Sequence, residues 1–108
     1  MVRTILAVTL LLMSLHASAA SYSFSGHKVK YLSTGWGGEA LYVGTEGVLP
    51  AGADCGGGNR FIILQTAPMY KEILSMLLMS VQNKNNVQFY IDGCNGNSMQ
   101  LKAVTIFD

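Results

Sequence analysis

The sequence predicts a small, mainly β domain with one central helix, its elements in the order β-β-β-α-β-β. Three observations predict it. A single stretch, Met69 to Gln82, keeps a helical period; short apolar runs with a period of two lie on both sides of it; and clusters of glycine and asparagine separate those runs.

The chain opens with a segment that reads as an address rather than as fold. Arg3 supplies a positive start, Ile5 to Leu15 an apolar stretch, and Ala17-Ser18-Ala19-Ala20 a small-residue cleavage site, the three parts of a signal peptide. The apolar stretch is too short to cross a bilayer, so export to the periplasm or the medium is expected, with no integral membrane span. Setting residues 1–20 aside leaves 21–108, which is enough for a single domain. The seven lysines and arginines include Arg3; without it six basic residues face six acidic ones. A net charge near zero excludes nucleic acid and anionic membrane as principal partners, since both are held by dense positive charge.

Ser21 to Gly26 places Tyr22 and Phe24 on alternate positions and is either an irregular lead-in or the start of a strand. His27 to Thr34 continues the alternation as strand one, with Val29 and Tyr31 opposed to Lys28, Lys30 and Leu32. Gly35-Trp36-Gly37-Gly38 ends it in a tight turn. Trp36, left on that turn, is either a lid over one barrel end or a stacking platform for a ligand. Glu39 to Thr45 is strand two, and Pro50 confines Val48 to Ala53 to an edge piece or a loop. The glycine-rich run Asp54 to Asn59 is not a phosphate loop: no Gly-Lys-Ser/Thr ending follows, and the helix begins only after another strand. That strand, the third, is Arg60 to Gln65, apolar from Phe61 to Leu64 and so covered on both faces.

Thr66 is the expected N-cap of the helix, with Pro68 just inside it and Glu72 in its first turn. At about 100° per residue, Met69, Tyr70, Ile73, Leu74, Leu77, Leu78 and Val81 cover roughly half the circumference. A helix that serves one core needs a stripe of roughly 100°. Met69, Ile73 and Leu77 are therefore assigned to the barrel, and Leu74, Leu78 and Val81 to an interface with a second copy of the chain. Asn83, Asn85 and Asn86 stop the helix, and Lys84 complements its negative end. Val87 to Ile91 is strand four, Asp92 to Asn97 a turn-rich loop, and Leu101 to Phe107 strand five, with Leu101, Ala103, Thr105 and Phe107 on one side.

Both cysteines, Cys55 and Cys94, lie in the exported part, where an oxidising compartment pairs them. A metal site would need more ligands than these two thiols and His27 supply. Catalysis is not expected either, because His27 is the one histidine of the mature part and its acids are scattered singly. His27 itself reads as a surface strand residue. No cofactor is implied.

Three strands, a helix and two strands is the element order of the OB-fold, a five-stranded Greek-key barrel. The stretch Met69 to Leu78, continued through Val87 to Cys94, resembles small exported bacterial proteins of the subtilase cytotoxin B-subunit type. That resemblance implies an OB-fold, a ring of five copies, an associated A subunit and binding of sialylated or other acidic glycans. Its most specific local match is Phe24-Ser25-Gly26, followed after seven residues by Thr34-Gly35. The resemblance implies that Ser25 contacts the sugar carboxylate; if sugar is bound, Ser25, Trp36 and Tyr90 are expected to line one cleft. The match departs from the family at Ser21, where the family has an aspartate, and at Ile91, where it has a tyrosine that Tyr90 here stands beside. The alternative from a different class is a periplasmic or secreted domain that binds protein through the helix and has no sugar site.

Overall fold

The computed structural model describes residues 21–49 and 53–108 of the chain. The signal peptide read over residues 1–20, and Pro50, lie outside the described residues. The described chain is mainly β with a single helix: β1 Tyr22–Thr34, β2 Leu41–Thr45, β3 Phe61–Ile63, α1 Tyr70–Asn83, β4 Asn86–Asn95 and β5 Ser98–Phe107. The strands close into a barrel in the order β1-β2-β3-β5-β4. Every neighbouring pair is antiparallel except β3 with β5, which run parallel over Phe61↔Met99 and Ile62↔Gln100.

β1 makes closure possible because it is long enough to serve two neighbours. Tyr22 to Lys28 pair with β4, and Val29 to Thr34 pair with β2. A straight ribbon could not turn from one partner to the other. The register shifts between Ser25 and His27 and again between Val29 and Tyr31, and such bulges bend and twist a strand. Gly26 occupies the first bulge at φ 86°, a backbone angle that a side chain disfavours. The lead-in and strand one of the sequence reading are thus one continuous strand.

The barrel interior is aromatic at its centre. Phe61 and Phe89 meet edge to face at 5.0 Å between ring centroids, and Phe24 lies 5.5 Å from Phe61. Val43, Val87, Ile91, Met99 and Leu101 fill the space around them. α1 packs on β1 and β5 and plugs the barrel with Ile73 and Leu77. Ser80 is also buried on that face, where its hydroxyl donates to the Leu77 carbonyl at 2.8 Å. Leu74 is half-buried, whereas Leu78, Met79 and Val81 are exposed.

Several local expectations are corrected. The helix starts at Tyr70 behind Met69, a left-handed residue at φ 63° with no side-chain cap, so Thr66 lies too far upstream to cap it and Pro68 precedes it. Residues 64–69 form turns instead, held by Ala67 N–H to Leu64 O and Tyr70 N–H to Ala67 O. Met69 is exposed as a result, not barrel-facing. At the other end Lys84 itself takes the left-handed stop at φ 56°. The cation that complements the helix terminus is Lys28, which donates from β1 to the Lys84 carbonyl at 3.0 Å.

The loop read over Asp92 to Asn97 is mostly strand. β4 continues to Asn95 and turns over Gly96 and Asn97 into β5, with Asn95↔Ser98 closing the hairpin. Lys102 is an extra residue between the pairs Ile91↔Leu101 and Tyr90↔Ala103. Leu101 and Val104 consequently both face the barrel, against Ile91 and Phe89, and the simple alternation read for strand five fails there.

Cys55 and Cys94 are bonded to each other across a separation of 39 residues, tying the β2–β3 loop to the end of β4. Cys94 is a strand residue, not a loop residue. Native protein is expected to show no alkylatable thiol by mass spectrometry before reduction. In the chain-entropy model, replacing both cysteines by serine costs about 4 kcal/mol of unfolding free energy, to be measured by urea denaturation. Leu77→Ala, at the fully buried centre of the helix face, is expected to cost about 2–5 kcal/mol in the same assay.

Candidate functional site

The barrel alternation sorts the residues named from the sequence. Phe24 and Phe89 are paired across β1 and β4 and point inward, so their neighbours Ser23, Ser25, Gln88 and Tyr90 lie on the outer face. Ser25 pairs with Gln88 and Ser23 with Tyr90, which puts Ser25 and Tyr90 on one diagonal of the same ladder. A hollow of about 210 Å³ on this face is lined by Ser23, Gln88, Phe89, Tyr90, Ala103 and Thr105. At its edge the Ser21 hydroxyl donates to the Asp92 carboxylate at 2.9 Å. Hydroxyls, an amide and a half-exposed phenol ring thus share one shallow surface.

Trp36 is elsewhere. It stands on the turn that follows β1, and the nine steps along the strand from Ser25 to Thr34 cover roughly 30 Å at about 3.3 Å per residue. The indole is fully exposed, so the lid reading is wrong: the turn projects beyond the barrel instead of folding across it. The structure therefore brings Ser25 and Tyr90 together and sets Trp36 apart.

The surroundings of Trp36 were not legible as a group in the sequence. The turn is closed by Gly35 N–H to Ala40 O at 2.9 Å and Gly38 N–H to Gly35 O at 2.9 Å. Glu39 folds its carboxylate back over Gly35, where any Cβ would collide with it, so a residue larger than glycine would displace the acid. One carboxylate oxygen accepts from the Gly37 N–H at 3.1 Å and the other from the Tyr42 hydroxyl at 3.0 Å. Above the Tyr42 ring sits the Arg60 guanidinium, 4.3 Å from the ring centroid. These residues, with Ser33, Thr34 and Trp36, line a cleft of about 320 Å³. Only the alternation that points Tyr42 outward on β2 hinted at it.

Glu39 ionises more easily than an ordinary glutamate. Its own backbone N–H holds the charged form first, then the Tyr42 hydroxyl; desolvation opposes them, and the Gly37 N–H and the Arg60 charge add smaller help. Glu39 and Asp92 belong to opposite ends of β1 and form no acid pair. His27 is half-buried, not a surface residue, because its ring stacks on Phe24 at 4.3 Å and 18°. Among the described residues no group of three or more His, Cys, Asp or Glu is placed to hold a metal ion, and no helix is long and apolar enough to cross a membrane.

The lowered value of Glu39 fixes the sign of a pH effect. A depressed carboxyl contributes stability that is present above its ordinary value of 4.5 and is lost as pH falls through its folded value. In an NMR titration of the side-chain carboxyl carbon, Glu39 is expected to titrate below 4.5, and Tyr42→Phe to move the midpoint upward. A midpoint unchanged by Tyr42→Phe would show that the phenol does not hold the acid.

No family model matches this chain, and no curated protein matches it.

Proposed function

We propose that the chain is an exported, non-catalytic glycan-binding subunit of OB-fold type that assembles as a ring of identical copies. The barrel order β1-β2-β3-β5-β4, with the helix between β3 and β4, supports the OB reading. The observation that carries the glycan reading is the outer β1–β4 face, where Ser25 pairs with Gln88 beside a hollow that Ser23, Gln88, Tyr90 and Thr105 help to line. Sugar hydroxyls both donate and accept, and the Ser23, Ser25 and Thr105 hydroxyls and the Gln88 amide match them while the Tyr90 ring offers a stacking face. The proposed ligand is a sialylated or other acidic glycan, and an A subunit is a further proposed partner.

Each neutral hydrogen bond contributes about 0.5–1.5 kcal/mol net, so one such shallow site binds weakly. Useful affinity then comes from several sites engaged together, and this is what a ring supplies. The assembly surface is the helix face of Leu74, Leu78 and Val81, of which Leu78 and Val81 are exposed with Met79 beside them. The same exposed row favours the second reading, a protein-binding domain without a sugar site.

A glycan array probed with the mature protein is expected to retain acidic glycans, and Ser25→Ala or Tyr90→Ala to lower retention several-fold. No retention, or retention indifferent to both changes, would favour the protein-binding reading. Light scattering is expected to report an oligomer that Leu78→Glu dissociates with its circular dichroism unchanged; a strict monomer at high micromolar concentration would refute the ring.

A further inference from the structure

We propose that the Trp36 cleft is a second ligand site, distinct from the β1–β4 face, and that it takes a carboxylate-bearing pyranose such as a uronate residue of an acidic polysaccharide. The proposal stands on three features of the cleft. Trp36 is fully exposed on a turn whose backbone is closed by its own hydrogen bonds, so the indole is held out as a flat apolar surface with nothing of the chain covering it. The apolar face of a pyranose ring is a natural occupant of such a surface.

The second feature is Arg60. Its guanidinium carbon lies 4.3 Å from the Tyr42 ring centroid, and among the described residues it forms no ion pair within 4.0 Å. Arg60 lines the cleft, and its planar fork of N–H donors matches a carboxylate in bidentate fashion.

The third feature is Glu39. Both of its oxygens are already engaged, by the Gly37 N–H and the Tyr42 hydroxyl, so Arg60 is not needed to hold it. Glu39 lines the cleft, and a carboxylate keeps lone pairs beyond those two hydrogen bonds with which to accept from sugar hydroxyls. Its charge also bears on the choice of anion: the cleft holds one arginine and one glutamate, so a singly charged carboxylate finds its counterion in Arg60, whereas a phosphate monoester carrying close to two charges has no second cation to meet it. Ser33 and Thr34 add hydroxyls on the β1 side.

Trp36 is the one tryptophan of the chain, so intrinsic fluorescence reports on this cleft alone. The experiment titrates the mature protein with trigalacturonate, with maltotriose as the neutral ring and with inorganic phosphate as the bare anion. Trigalacturonate is expected to shift the emission to the blue and saturate in the micromolar to millimolar range, with maltotriose at least about tenfold weaker and phosphate without effect. Arg60→Gln is expected to abolish the preference for the acidic sugar, and Arg60→Lys, which keeps the charge but loses the fork, to remove most of it. Ser25→Ala is expected to leave the titration unchanged, which separates this site from the β1–β4 face. An unsaturable response, an equal response to maltotriose, a response to phosphate alone, or a preference that survives both Arg60 variants would overturn the proposal.

Discussion

The structure depends on one strand serving two partners. β1 hands its hydrogen bonds from β4 to β2 midway along its length, and the bulges that allow this bend are where the sheet curls into a barrel. Closure removes the free edges of the β1 ladder and leaves an interior just large enough for the Phe24, Phe61 and Phe89 rings. It also fixes which residues are available for binding. The first half of β1 presents Ser23 and Ser25 beside β4, and its far end carries the turn of Trp36. The two candidate surfaces are therefore separated by construction of the barrel.

The same bulge gives the Phe-Ser-Gly tripeptide a structural meaning. Phe24 enters the core, Ser25 points out, and Gly26 supplies the positive φ that shifts the register. A barrel that must bend its first strand at this point has use for an inward aromatic, an outward small residue and a glycine whether or not a sugar is bound. The tripeptide thus speaks first to how the strand curves. Any role of Ser25 in recognition rests on Gln88, Tyr90 and Thr105 around it.

What was legible in the sequence follows the strength of the physical signal. The helix, the inward positions Val43, Phe89 and Ile91, and the pairing of Cys55 with Cys94 rest on periodicity and on compartment, both of which act over many residues. The helix start was not legible, because Thr66 and Pro68 form a standard start pattern that the left-handed Met69 overrides. Strand five was misread because a single extra residue, Lys102, inverts the faces after it. The Trp36 cleft escaped for a different reason: Arg60 reaches Tyr42 from beyond the β2–β3 loop, and no local pattern announces a contact between residues so far apart in the chain.

The disulfide occupies a particular place with respect to the seam of the barrel. β3 and β5 touch along only two residue pairs, extended by the Met99 N–H to the Arg60 carbonyl at 3.0 Å, and they are the one parallel pair. Parallel pairing between distant segments is the slowest kind of contact to form, since the intervening chain must first be confined. Cys55 stands in the β2–β3 loop six residues before Phe61, and Cys94 stands on β4 directly opposite Met99 across the β4–β5 hairpin. The bond therefore ties the chain entering β3 to the strand that pairs with the start of β5, and it shortens the path between the two sides of the seam. The crosslink then works like the starting pin of a zip fastener, turning a long-range search into a shorter one.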